Sequence, residues 1–430
     1  MATKSRVLKI EMSESMNTTL IRWCLNMIDI EIIFGIDVSK HSSNVAILAD
    51  DSVIKEFKIT NDRIGYETLD DALNSFKSPK VIFESSGIYS RSIRAFLQRK
   101  NWIYTEINPL AAKKDMDGFR HNKNDQLDAV ALATAMAHYH YQSTFREAGV
   151  YEELHDLERT YQEFNEDLVR AKNRLHKNLQ LTFPEVEQFI STTDGTLYWH
   201  VVQQFPHPTF VLETKLSELA QLILKATLKN MSEKRALGLA EHLKELANKS
   251  APAVSSDACA VSSVVYLAGE VERLNDKKDE IIREMSQISV SLNEIPILQS
   301  IPGFGIKTAV CLLAELGDIS RFHSSNAINA YIGIDLIQYQ SGDYKMGQHI
   351  RKRGNSYARK ILFKAVLNMV CAAKYHPSNV SILYQRKKQS SSETHTKKIA
   401  IAAMGRLIRT IYHLIKNNEL YDSRKCLPQH

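Results

Sequence analysis

At 430 residues, 44% apolar and 24% charged, the chain is long enough for two or three domains and a sizeable core. Its longest apolar stretch, 17–34, is broken by Arg22, Asp29 and Glu31, and its five cysteines show neither CxxC nor metal-ligand spacing, which excludes a membrane-spanning protein and a disulfide scaffold. The net charge of +6 permits a nucleic-acid partner without proving one, although Lys and Arg gather from Lys345 onward while the acids concentrate earlier.

Residues 1–29 carry no clear pattern and few features of a secretory signal. They read as an N-terminal extension, with Met27 a plausible start, on a cytoplasmic protein. From residue 30 the rhythm is regular. "IEIIFGIDVS", "SNVAILAD" and "SVIKEFKIT" predict three strands, the last two joined by a "DDS" turn. "RIGYETLDDALNSF" has helical periodicity, "KVIFESSG" is a short buried strand ending at Glu84, and "SRSIRAFLQRK" is a helix. "WIYTEINP" is a strand closed by Pro109, and "NDQLDAVALATAMAHY" a helix. Three strands followed by alternating helices and strands predict an α/β ribonuclease-H-like (RuvC-like) domain over 30–150. A doubly wound nucleotide-binding fold would not begin with two hairpin strands.

Asp37 and Glu84 each end a predicted strand, and the carboxyl edge of an α/β sheet is where such folds build sites. Asp125 and Asp128, three apart on a helix, share a face that can point at the same edge. Four converging carboxylates repel unless a cation holds them, and hard oxygen ligands suit Mg2+ or Mn2+ in phosphoryl transfer. Taken singly, Asp37 also reads as a turn residue, Glu84 as a helix cap and Asp125 as an N-cap. Lys123 reads equally as a phosphate-orienting or a solvated lysine.

Over 151–294 the chain turns helical. Leu154, Leu157, Tyr161, Phe164, Leu168, Ala171 and Leu175 form a heptad seam. A second runs Val264, Leu267, Val271, Leu274, Ile281, Met285, Ile288 and Leu292, broken at Lys278. Such helices pair within one chain or between chains. Residues 184–260 are mixed and mostly helical, a spacer or insertion, and 248–263 reads as a linker. In the region 295–430, "IPGFGIKTAVCLLAEL" is a Gly-rich turn opening an amphipathic helix, like half of a helix-hairpin-helix. There Gly303 and Gly305 allow close approach of a DNA phosphate to backbone amides, beside Lys307. Farther on, "QSG" places Ser341 in a polar loop ahead of Arg351, Lys352, Arg353, Arg359 and Lys360. A serine among cations can attack a phosphodiester, but these residues alone fit a phosphate-binding face equally well.

Together "GIDVSK", "FESSGIYS", "INPLAAKKDMDGFRHNKNDQLDAVALA", "IPGFGIKTAVCLLAELGDISRF", "AYIGIDLIQYQSG" and "IRKRGNSYARKILFKAV" resemble, in order, the IS110/IS116/IS902-type insertion-sequence transposases, the DEDD or resolvase-like transposases. The resemblance implies that Asp37, Glu84, Asp125 and Asp128 are metal ligands and that Ser341 forms a covalent phosphoserine link to DNA. It further implies DNA partners at the element's ends and target, a structured guide RNA in some members, a homodimer or homotetramer with a composite site, and a nucleoid-associated bacterial or archaeal setting. This chain departs from the pattern with "QSG" for "SSG", "IGIDLIQ" for a Gly-Leu-x-Pro stretch, a longer middle and the N-terminal extension. Two other readings stand beside strand transfer: a hydrolytic Holliday-junction-type endonuclease that needs no serine, and an inactive nucleic-acid-binding protein.

Overall fold

The computed structural model describes residues 30–109, 125–144, 149–227, 230–337, 340–341, 344–345, 349–390 and 396–426; the side chains of 125–127, 337–349 and 425–426 lie outside that description. The N-terminal extension and Lys123 are likewise outside it. The chain divides into two compact units, Met1–Arg146 and Glu147–His430. Among the described residues no helix is long and apolar enough to cross a membrane.

The first unit is built on a mixed five-stranded sheet. β1 (Ile32–Val38) is apolar at nearly every position and buried on both faces, as a central strand requires. β2 (Ser42–Ala49) and β3 (Ser52–Thr60) follow antiparallel, turning at Asp50 and Asp51, whose φ values of 40° and 64° are those of a tight hairpin. β4 (Lys80–Glu84) and β5 (Tyr104–Ile107) add parallel on the other side of β1, giving the order β3-β2-β1-β4-β5. Strand order and directions agree with the ribonuclease-H-like expectation.

Side-chain alternation along β1 then sorts the layers. Ile32, Phe34, Ile36 and Val38 enter one core with α1 (Arg63–Leu73) and α2 (Ser90–Arg99). Ile33 enters the opposite core, with Ile82, Ile107 and the Ala-rich α3 (Asp125–Tyr139). Gly35 lets α3 descend onto the sheet: a Cβ there would stand 2.1 Å from the Ala129 carbonyl oxygen and 2.7 Å from the Ala133 amide. The obstacle is backbone, which cannot rotate away. Gly35→Ala is therefore expected to destabilise this unit at the upper end of the roughly 1–3 kcal/mol typical of overpacking. Thermal unfolding checks this; an unchanged melting temperature would mean that α3 does not bear on Gly35.

The second unit is organised by two long helices, α4 (Gly149–Thr182) and α9 (Cys259–Ile288), which pack along one another. Most seam residues are buried in cores that these helices share with each other and with their neighbours, with Leu292 beyond the end of α9, so the seams no longer argue for self-association. Between them the insertion folds as α5 (Thr196–Gln204), α6 (Pro208–Glu213), α7 (Leu216–Ala226) and α8 (Glu233–Lys249). It shares one core with the adjoining halves of the long helices, through Phe183, Tyr198, Val202 and Leu243 against Leu175 and Val264. Only the middle of the expected linker, 250–258, is non-helical, because α8 runs to Lys249. In the first turns of α9, which begins at Cys259, Val261 is buried and Val264 already enters that core.

At the other end lie α10 (Glu294–Gln299), α11 (Ile306–Leu316), α12 (Ser325–Ile332), α13 (Ser356–Ala372), α14 (Asn379–Ser390) and α15 (Thr396–Asn417). They form a second core with Leu154, Tyr161, Ile281 and Met285. α11 is not amphipathic as its sequence suggests: every residue from Ala309 to Leu316 is buried, because α4, α13 and α10 cover it on several sides.

Candidate active site

The last hydrogen-bonded couple between β1 and β4 is Ile36 with Phe83. Asp37 and Glu84 are the next residue on each strand, so they stand abreast at the carboxyl edge of adjacent parallel strands. Alternation puts Asp37 on the face of Ile33 and Gly35, and Glu84 on the face of Ile82, which is the face that α3 covers. Both acids are half-buried, as is Asp128, the residue beside Ala129 where α3 touches Gly35. Asp125 opens the same helix one turn earlier. Thus one sheet face and its covering helix carry all four predicted acids, although no three potential metal ligands cluster among the described residues.

The donor chemistry fits a hard divalent cation, being carboxylate oxygen throughout. Two residues beyond Glu84, the Ser86 hydroxyl is buried with no hydrogen-bond partner among the described residues, so it is a polar group at this edge that a ligand or water could satisfy. Nearby Glu106 is different. It points to the other face and is held by Arg94 at 2.7 Å, a structural ion pair that sequence spacing does not reveal.

In the second unit Ser341 does not lie in an open loop. β6 (Leu336–Ile337) pairs with β9 (His349–Ile350), and β7 (Gln340–Ser341) with β8 (Tyr344–Lys345), which puts Ser341 in register with Tyr344 in a β-hairpin arm. The base of the arm is tightly closed. Lys352 N–H donates to the Gly333 carbonyl at 3.0 Å, Arg351 N–H to Asp335 at 2.9 Å and Asn355 N–H to Tyr331 at 2.8 Å. Gly354, at φ 124°, has room for no Cβ, since the Tyr331 carbonyl oxygen would be 2.2 Å away.

The basic residues beside this base are not equivalent. Lys352 and Arg353 are exposed, and Arg351 pairs with Asp335 at 3.4 Å. The Arg359 guanidinium instead donates to the Ile332 carbonyl at 2.6 Å and anchors the end of α12. Gly303 (φ 84°) and Gly305 form the turn before α11, and Lys307 is exposed in its first turn.

Sequence reasoning missed the polar network beneath the arm. The fully buried Glu315 side chain accepts from Arg159 at 3.0 Å and from Asn355 Nδ2 at 2.6 Å. Asn355 also caps α13 through the Tyr357 and Ala358 amides, and the Arg159 guanidinium stacks on Tyr357 at 4.3 Å. The only sequence signal was Asn355 as a helix cap, ahead of "SYARK".

Comparison with known families agrees with both halves. Residues 34–184 match a DEDD-type model described as a transposase, and 295–380 match one described as the transposase IS116/IS110/IS902 family. The two segments together take in more than half of the chain, and they place it among the DNA transposases, enzymes that recombine DNA and, in the DEDD class, use a divalent metal. More particularly, the chain belongs to the IS110/IS116/IS902 family. It is 21% identical over 310 residues to the insertion element IS110 43.6 kDa protein of Streptomyces coelicolor, covering 70% of this chain and 73% of that one. It is 36% identical over 89 residues to the transposase for insertion sequence element IS1111A of Coxiella burnetii, 20% of this chain and 24% of that one. The pilin gene-inverting protein of Moraxella bovis is 30% identical over 129 residues, 30% of this chain and 38% of that protein.

Proposed function

We propose that this transposase cuts and rejoins the DNA of an insertion sequence with Ser341 as nucleophile and with Asp37, Glu84, Asp125 and Asp128 as ligands of Mg2+ or Mn2+. The observation that carries the carboxylate half is the position of Asp37 and Glu84, each one residue past the last β1–β4 couple, on the one sheet face covered by the helix of Asp125 and Asp128. A divalent cation bound there would neutralise charge that develops on a phosphodiester. The chain's own residues do the rest. The Ser341 hydroxyl attacks phosphorus, one P–O bond to serine forms as one to deoxyribose breaks, and the serine proton ends on the released hydroxyl. Attack by the hydroxyl of a second strand reverses the sequence, rejoins DNA and restores the serine. Bond number is conserved, so no nucleotide cofactor is needed. The exposed Lys352 and Arg353 and the turn of Gly303, Gly305 and Lys307 would hold phosphates.

Related proteins named for inverting a pilin gene support a DNA rearrangement rather than simple hydrolysis. Within this reading the protein works as a homodimer or homotetramer, and an RNA encoded beside the element guides it. The working parts are a metal domain over 30–150, a helical spacer over 151–294 and a serine domain over 295–430.

The test is a denaturing gel after incubation with Mg2+, element-end DNA and any RNA encoded beside the gene. A protein–DNA adduct is expected with the native chain and not with Ser341→Ala. Cleavage without an adduct, persisting in Ser341→Ala, would instead support the hydrolytic endonuclease.

A further inference from the structure

Lys278 interrupts an otherwise apolar seam, and its surroundings suggest why. Its amine reaches Asn165 of α4 at 2.9 Å and lies 5.4 Å from the centre of the buried Tyr161 ring. The Lys307 amine lies 5.0 Å from the centre of that same ring. Lys364, exposed on α13, is close enough to act on the Lys278 charge, and none of these three lysines forms a salt bridge among the described residues. Two ammonium groups from two helices thus share one phenol ring, and a third, on α13, lies within reach of the Lys278 charge.

Such a gathering costs free energy unless an anion joins it. The cost is visible at Lys278, whose pKa is pushed down to about 8 by burial, then by Lys307, Lys172 and Lys364. Of these, Lys172 already has Asp194 as its partner. Asp279 acts in the opposite direction at Lys278 but does not cancel them. At Lys307 burial also pulls the pKa down, but contact with Tyr161 outweighs it and the pKa is raised. The cluster also adjoins the first turn of α11, whose N-cap, Gly305, offers no side-chain cap, so amide hydrogens face outward there. Lys307 and Lys364 are open to solvent, which suits a passing polyanion better than a small enclosed ligand.

We infer that Lys278 and Lys307, which share the Tyr161 ring, together with the neighbouring exposed Lys364, form one phosphate clamp that seats nucleic-acid backbone where the long helix pair meets the Gly-rich turn. This rests on the proposed function for its ligand class and extends it from the turn to α9 and α13. The same clamp accepts the backbone of DNA or of RNA, and the two are separated by experiment.

Fluorescence anisotropy of the full chain is measured with a labelled element-end duplex and with a labelled single-stranded transcript of the flanking sequence, across a salt series. Lys278→Gln and Lys364→Gln are each expected to weaken binding by roughly three- to tenfold and to make the salt slope shallower by about 0.9 on duplex or 0.7 on single strand. Lys249→Gln, an equal charge change on α8, should alter neither. Loss on the duplex alone makes the occupant DNA, and loss on the transcript alone makes it RNA. Wild-type affinity and slope in both variants on both probes, or a loss no larger than that of Lys249→Gln, overturns the clamp and leaves the proposed function standing. Failure of the native chain to bind either probe overturns the proposed function itself. Should Lys278→Gln lose its cooperative melt, the exposed Lys364→Gln decides by the same criteria.

Discussion

Asp37→Asn should reduce metal-dependent strand cleavage by at least about 100-fold, more than the loss of a group that only orients a ligand, while nucleic-acid binding persists. The substitution keeps the size of the side chain and a hydrogen-bonding oxygen but removes one negative charge from the acids proposed to hold a divalent cation. Asp37 lies on the strand that carries the core of the sheet, yet it is only half-buried at the strand's end, so the fold survives its loss. Manganese binding followed by electron paramagnetic resonance gives a second readout that does not depend on turnover. Full cleavage in this variant, or unchanged manganese affinity, would remove Asp37 from the metal site. Glu106→Gln serves as contrast: it lies on the opposite face in an ion pair with Arg94, so it should cost stability and leave manganese binding intact.

Glu158→Gln should raise the melting temperature at pH 8 and change it little near pH 5. Glu158 is fully buried on α4, and burial pushes its pKa from 4.5 to about 7, helped by the nearby Glu315 and opposed by hydrogen bonds from Cys311 and Gln162 and by Arg159. Gln162 donates to it at 2.5 Å. The folded carboxyl therefore holds its proton after the unfolded one has lost it. Below about pH 4.5 both states are protonated and the group has no effect. As pH rises from there to about 7 the native state loses stability relative to the unfolded chain, and above 7 the loss levels off. A shift of this size corresponds to roughly 3 kcal/mol, or a melting difference on the order of 5–10 °C in a domain of this length. Glutamine keeps the hydrogen-bonding shape without the charge. Thermal scans of both proteins between pH 5 and pH 8 check the sign; an equal difference at every pH would show that Glu158 does not titrate in this window.

Glu158 also shows where a linear pattern stops being informative. It follows Leu157 in the first heptad seam, and a two-helix seam would leave it at the solvent edge. A third helix, α11, covers that flank, so a residue polar by type becomes buried by position. The same third partner explains why α11 itself is buried throughout. Lys278 is the converse case. As a letter it is a flaw in the second seam; in three dimensions its amine and that of Lys307 share the Tyr161 ring.

The sheet was legible because its strands are short and bounded by turn residues, with apolar runs at the centre and an alternating pattern in β3, and because alternation assigns a face to every side chain once a strand is recognised. Asp37 and Glu84 could thus be matched as strand-end acids, and Asp125 and Asp128 as members of one helix, from local periodicity alone. The hairpin around Ser341 was not legible: "LIQYQSGDYK" lacks a run long enough to mark a strand, and the pairing of two-residue strands depends on a base closed by Gly333, Gly354 and Asn355. By itself, then, the sequence determined the order of strands and helices, the two apolar seams and the family to which they belong, since all of these rest on spacing along the chain. Tertiary structure alone decided that the seams close on each other within one chain, that the insertion shares their core, and that Arg159, Glu315 and Asn355 meet under the serine arm. Those contacts join residues as many as 156 positions apart, and no local periodicity encodes which distant surface will exclude water from a given side chain.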